Sequence, residues 1–141
     1  KANNSHIGIA NEIEINENGI SHPLYVDKDR KFNSPAFNFD EVVKLPRNGI
    51  CLASNKINKI QSLYFEIDNT KVWGLQYHPE ITYEKMISLI QFRKDRLIEK
   101  RKVFKNSSDV EKHINFIKKE IFVENKLKRM MELKNWLDQL K

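Results

Sequence analysis

Val72-Trp73-Gly74-Leu75-Gln76-Tyr77-His78-Pro79-Glu80 is the stretch from which the rest of the chain is best read. Its opening is apolar and aromatic, the composition of a strand. Proline has no N–H to contribute to a ladder, so the strand must stop there and expose the flanking side chains at its tip. A histidine and a carboxylate two positions apart at such a tip can act as a base and its orienting partner. On its own, His-Pro-Glu is more often a structural turn. What surrounds it reverses that reading.

Upstream, residues 6–80 read mostly as short strands joined by turns. His6-Ile7-Gly8-Ile9 and Ile13-Glu14-Ile15 alternate as half-buried strands do, and Asn16-Glu17-Asn18-Gly19 supplies a turn. Leu24-Tyr25-Val26 precedes the polar loop Asp27–Lys31. Residues 34–43 lead to the turn Leu45-Pro46-Arg47-Asn48-Gly49, and Ile50-Cys51-Leu52-Ala53 is an apolar strand. Ile60–Ile67 is the next strand, and Asp68-Asn69-Thr70-Lys71 turns it into the Trp73 strand. Such a meander can build the later half of a mixed α/β sheet.

Downstream of Glu80 the period changes. Thr82 can cap a helix through Tyr83–Arg101 with Met86, Ile87, Ile90 and Leu97 on its inner side. Asn106-Ser107-Ser108 interrupts the pattern. Ser108-Asp109-Val110-Glu111 has capping-box spacing, and Val110, Ile114, Ile117 and Ile121 form one apolar stripe. Leu127, Met130, Met131, Leu133, Trp136, Leu137 and Leu140 predict a last helix. The final helices read as packing elements.

Composition narrows the function classes. The chain has 141 residues, 40% apolar and 31% charged, enough for one ordinary domain or a little less. No apolar run reaches the roughly 20 residues of a membrane helix. Lys1-Ala2-Asn3-Asn4-Ser5 lacks the apolar stretch of a secretion signal. It also lacks an initiating methionine, which is expected of a fragment. One cysteine excludes an internal disulfide and fits a reducing cytoplasm, so a cytoplasmic location is expected. The net charge of +6 is unevenly spread: residues 1–80 carry 9 basic and 10 acidic side chains, residues 81–141 carry 16 and 9. Basic helical faces are more often solvated than bound to phosphates, so nucleic acid is not the expected partner.

The pattern W-G-x-Q-[FY]-H-P-E at Trp73–Glu80 resembles the last catalytic motif of the class I glutamine amidotransferases. Further matches follow in the family's order. Ile7-Gly8-Ile9, Ile13-Glu14-Ile15, Gly19 and His22-Pro23-Leu24 resemble the segment after the family nucleophile. Residues 39–46, Phe39-Asp40-Glu41-Val42-Val43-Lys44-Leu45-Pro46, are similar to its H-x-D-x-V-x-x-L-P segment, and Leu52-Ala53-Ser54 with Ile60-Gln61 to its L-A-S and I-Q pair. The likeness covers roughly residues 6–95 and is strongest to stand-alone, GMP-synthase-like amidotransferases, whose tails Glu132–Leu137 also resembles. It implies a flavodoxin-like α/β domain of which residues 1–101 form the C-terminal half, in a mixed sheet. Residues 102–141 would be a helical extension packing on it.

The implied chemistry is hydrolysis of L-glutamine to glutamate and ammonia through a Cys-His-Glu triad. His78 is the implied base and Glu80 its orienter. Asn38 and Phe39 fall in a substrate-side segment, although many relatives carry a histidine where this chain has Asn38. The family's Gly-x-Cys-x-Gly elbow has no counterpart, so the Cys-bearing half is expected to lie outside this chain. An ammonia-accepting synthetase domain or subunit is an implied partner. A guanine-nucleotide product would be analogy only.

Gly49-Ile50-Cys51-Leu52-Ala53 superficially imitates the elbow. Ala53 stands where crowding favours glycine, and Ser54-Asn55-Lys56-Ile57 looks like a turn rather than a helix. Cys51 is expected to be a buried strand residue. His6 and His22 read as surface or turn histidines, and His113 as lying on a helix boundary face. No residues have metal-ligand spacing and no Gly-rich phosphate loop is present, so no cofactor is expected. Three alternatives remain: a catalytically inactive fragment, a basic helical interaction module built on residues 81–141, and a smaller fold in which Cys51 is the nucleophile.

Overall fold

The computed structural model describes residues 5–141. Lys1–Asn4, most of the segment read above as lacking a secretion signal, lie outside them. The architecture is mixed α/β. Five strands, β2 (Ala10–Ile15), β3 (Lys31–Ser34), β5 (Ile50–Ser54), β6 (Ser62–Ile67) and β7 (Thr70–Leu75), form a sheet in the order β3-β2-β5-β6-β7. Two short strands, β1 (His6–Ile7) and β4 (Phe37–Asn38), make a separate pair. Every pairing among the described strands is antiparallel.

The alternation of β2 is interrupted for a reason. Ala10 and Ile13 are an odd number of residues apart, yet both are fully buried. A register shift between them reconciles this, with Glu12 at φ 51° and its N–H donating to Asn33 Oδ1 at 2.8 Å. A bulge of this kind puts two inward side chains where a regular strand would put one outside. β6 and β7 pair without a break, from Ile67↔Thr70 to Ser62↔Leu75.

Asn16-Glu17-Asn18-Gly19 is a short helix rather than a bare turn: α1 (Glu17–Ile20) starts from Asn16, whose side chain accepts from Gly19 N–H. Pro23–Tyr25 likewise forms a 3-10 turn, capped by His22. Thr82 caps α2 (Tyr83–Phe92) as expected, accepting from Lys85 N–H. The helical path then loosens at Arg93 and passes into a π-helical turn, Arg96–Lys100, which keeps Leu97 buried. α3 (Ser107–Val123) corrects the capping-box reading: its cap is Asn106, which accepts from Asp109 N–H at 3.0 Å, and Ser108 lies inside the first turn. The tail is two helices, α4 (Lys126–Arg129) and α5 (Met131–Asp138).

Two apolar clusters result. One joins Ile7 and Ile9 to Tyr83, Ile87 and Ile90 of α2, Leu97, and the α3 stripe Val110, Ile114 and Ile117. Gly8 sits where these helices close on the chain: at φ +87°, a Cβ there would meet Ile117 Cδ1 at 2.6 Å and Ile90 Cδ1 at 2.8 Å. The other cluster covers one face of the sheet and contains Ile13, Ile15, Leu24, Tyr25, Leu52 and Tyr77. Tyr77 belongs to the second cluster and Tyr83 to the first. The His78-Pro79-Glu80 segment spans the gap between two cores.

Candidate active site

β7 ends at Leu75, and the chain leaves the sheet under backbone control. Gln76 N–H donates to Gln61 O at 2.8 Å, His78 N–H to Pro35 O at 2.7 Å, and Ile81 N–H to His78 O at 3.1 Å. Proline at 79 offers no N–H, so the turn closes through Ile81 instead. Within it, His78 Nδ1 lies 2.8 Å from Glu80 Oε1. Both side chains are about half open to water, at 43% and 48%. With Nδ1 donating to the carboxylate, Nε2 is the nitrogen available to take a proton from a nucleophile or from water.

His78 lines a cleft of about 420 Å³ together with Phe37, Asn38, Phe39, Asp40, Leu75, Gln76 and Arg93. Of the residues singled out from sequence, His78, Asn38 and Phe39 therefore meet around one cavity, while Glu80 stands behind His78. Asn38 is anchored on both sides: its Nδ2 donates to Gln76 O at 3.0 Å, and its Oδ1 accepts from His6 N–H at 3.4 Å. Phe39 meets Phe37 edge-on at 5.8 Å and lies under the Arg101 guanidinium at 4.3 Å. Arg93 sits over Phe37 at 5.2 Å, so the cleft carries a cation that sequence reading passed over as one of many basic helix residues.

Cys51 is apart from this cleft. In the ladder it faces Leu63, which faces Gly74, so two strand spacings, roughly 10 Å, separate it from β7. Its thiol lies against Ala53 O at 3.4 Å and Lys59 O at 3.5 Å. Burial pushes the thiol above its ordinary range, opposite to what a nucleophile needs. It is a half-buried strand cysteine.

His6 corrects its sequence reading. It is buried at 2% exposure, with Nε2 2.8 Å from the Gln61 side-chain amide, and burial pulls its imidazole below the ordinary value. His22 is a turn residue, as read; its Nδ1 accepts from Leu24 N–H. His113 Nε2 lies 2.6 Å from Ile7 O, tying α3 to β1. Among the described residues no three His, Cys, Asp or Glu side chains group as metal ligands, and no helix is long and apolar enough to cross a membrane.

Behind the site is a buried polar cluster that sequence reading missed. Tyr77 Oη donates to Glu132 Oε1 at 2.7 Å, Tyr25 Oη is 2.9 Å from Tyr77 Oη, and Lys28 Nζ pairs with Glu132 Oε2 at 2.9 Å. Burial pushes both tyrosines well above their ordinary range, and it pulls Lys28 down against the attraction of Glu132. Asn135 Nδ2 bridges Leu24 O and Val26 O. Each partner is remote in sequence, which is why spacing could not reveal them.

No family model matches the chain. It is 33% identical over 73 residues to a gamma-glutamyl-L-1-hydroxyisopropylamide hydrolase of Pseudomonas sp. The alignment covers 52% of this chain and 24% of that relative, so the matched stretch spans about a quarter of the relative's length. The likeness supports distant kinship with a hydrolase and nothing finer.

Proposed function

We propose that this chain is the C-terminal portion of a class I glutamine amidotransferase-like hydrolase that cleaves a γ-glutamyl amide, with glutamine as the expected substrate. On this reading residues 1–101 are the later half of a flavodoxin-like domain, and 102–141 are an extension packing on it. The observation that carries the reading is the His78 Nδ1–Glu80 Oε1 contact of 2.8 Å at a strand tip beside an open cleft. The kinship with a hydrolase whose name specifies a γ-glutamyl amide agrees with it.

A cysteine thiol carried outside these 141 residues gives its proton to His78 Nε2 and attacks the γ-carbonyl carbon. Glu80 holds the proton on Nδ1 and supports the imidazolium. The tetrahedral intermediate collapses, and His78 returns its proton to the leaving nitrogen, which departs as ammonia or an amine. His78 then takes a proton from water, whose oxygen attacks the thioester; the C–S bond breaks, glutamate leaves, and His78 returns the proton to the departing sulfur. Imidazole suits both directions because its ordinary pKa is near neutrality. Asn38, Phe39 and Arg93 form the wall against which the substrate lies. Arg93 supplies the positive charge that an α-carboxylate requires.

The test is glutamate release by the complete polypeptide to which this segment belongs. Release abolished by His78→Ala supports the reading; release that survives the substitution contradicts it.

A second reading, an interaction module, is favoured by one observation: Leu127, Leu137 and Leu140 of the tail are 82%, 54% and 66% exposed, amid Lys126, Lys134 and Lys141. Salt-sensitive capture of an acidic partner, lost on Leu137→Glu, would support it.

A further inference from the structure

The His78–Glu80 pair is too exposed to hold its own geometry. A side-chain pair this open to water is worth little, and solvent competes for both partners. Something else must fix the backbone that presents them. That backbone is gripped from the C-terminal tail. Arg129, only 7% exposed, donates from Nη1 to the carbonyl oxygens of both Pro79 and Ile81, the second at 2.8 Å. These carbonyls bracket Glu80. One helical turn further on, Glu132 accepts from Tyr77 Oη, next to His78. The tail thus holds positions 77, 79 and 81, and leaves the side chain of His78 to face the cleft and that of Glu80 to face His78.

The guanidinium is itself aimed. Its Nε lies 3.0 Å from Glu124 Oε2, an ion pair whose angle is not that of a hydrogen bond, and both side chains are almost fully covered. Lys28 Nζ reaches the main-chain oxygens of Lys128 and Arg129 at 2.8 and 3.3 Å, fixing the end of α4 from which Arg129 extends. A planar fork can serve two carbonyls from a fixed plane, whereas a lysine ammonium is a compact point charge on a flexible stem. We propose that Arg129 is a positioning residue for the His78–Glu80 pair, setting the spacing of the two side chains by clamping the carbonyls on either side of Glu80. The inference rests on the reading of His78 and Glu80 as base and orienter.

The experiment uses the 15N-labelled complete polypeptide to which this segment belongs and reads the His78 ring tautomer from long-range 1H–15N spectra in alkaline buffer, the signal being assigned with His78→Gln. The native chain should hold the ring proton on Nδ1, toward Glu80. Arg129→Lys should lose that preference in favour of Nε2–H. Asn135→Ala, which weakens tail docking without touching residues 77–81, should keep it. If Arg129→Lys does not fold, Glu124→Leu combined with Arg129→Met replaces both buried charges at once and leaves neither uncompensated. The same loss of the Nδ1–H form is expected. A folded Arg129 variant with the native tautomer overturns the proposal, and so does an equal change in Asn135→Ala. The tautomer is read without substrate, so such a result counts against Arg129 alone. Absence of hydrolysis in the complete enzyme would count against the catalytic reading instead.

Discussion

On the proposed reading, the carboxylate of Glu80 has one chemical task, to keep the His78 proton on Nδ1 so that Nε2 can accept another. Glu80→Gln keeps the side chain's length but removes its charge and lets an amide nitrogen face the ring. In the complete enzyme kcat for glutamate release should fall by about 10²–10⁴-fold with little change in KM, as loss of a triad orienter does elsewhere. Steady-state kinetics check it, and an equal rise in KM would instead assign Glu80 to substrate binding. The two members of this pair were legible because they are neighbours in sequence, with a proline between them that forces the strand to end. Arg93 and Arg129 were not. Each is one arginine among many basic residues, and what distinguishes them is the remote partner: Phe37 for one, the Pro79 and Ile81 carbonyls for the other.

Among the elements, local chemistry was a good guide where only one candidate was at hand and a poor one where two competed. Thr82 has no rival and caps α2. Ahead of the Val110 stripe both Asn106 and Ser108 can cap, and the structure uses Asn106, so the helix begins at Ser107, two residues earlier than a Ser108 cap would allow. Asn106→Ala should therefore cost about 1 kcal/mol of stability and Ser108→Ala close to none. Chemical denaturation of the two variants measures this; the reverse order would contradict the assigned cap. The bulge at Glu12 was hidden for a related reason. Ile13-Glu14-Ile15 alternates correctly by itself, and only pairing with β3 reveals that Ala10 belongs on the same face.

For the molecule as a whole, the two cores draw on strands and stripes that sequence located, whereas the sheet order, with β2 between β3 and β5, and the polar cluster that docks the tail depend on contacts across the whole chain. Burial also gives the fold a pH dependence. His6 and His22 both have imidazoles pulled below the ordinary 6.5 by loss of solvent. The unfolded chain binds these protons more readily, so stability is fully present above pH 6.5 and declines as pH falls toward the lowered folded values. The Glu12 carboxyl is held down by Lys31, and its contribution is lost only at more acidic pH. Melting temperature should fall between pH 7.5 and 5, and His6→Gln should flatten the slope. A native slope that is flat or reversed over that range would contradict the burial argument.

On the proposed reading, His78 serves a nucleophile other than Cys51. The most direct measurement is intact-mass and peptide mapping of the complete polypeptide after exposure to a glutamine-mimicking electrophile, with and without His78→Ala. One adduct is expected, on a cysteine outside these 141 residues, strongly reduced by His78→Ala, with Cys51 unmodified. A single adduct on Cys51 that depends on His78 and accompanies glutamate release would contradict it.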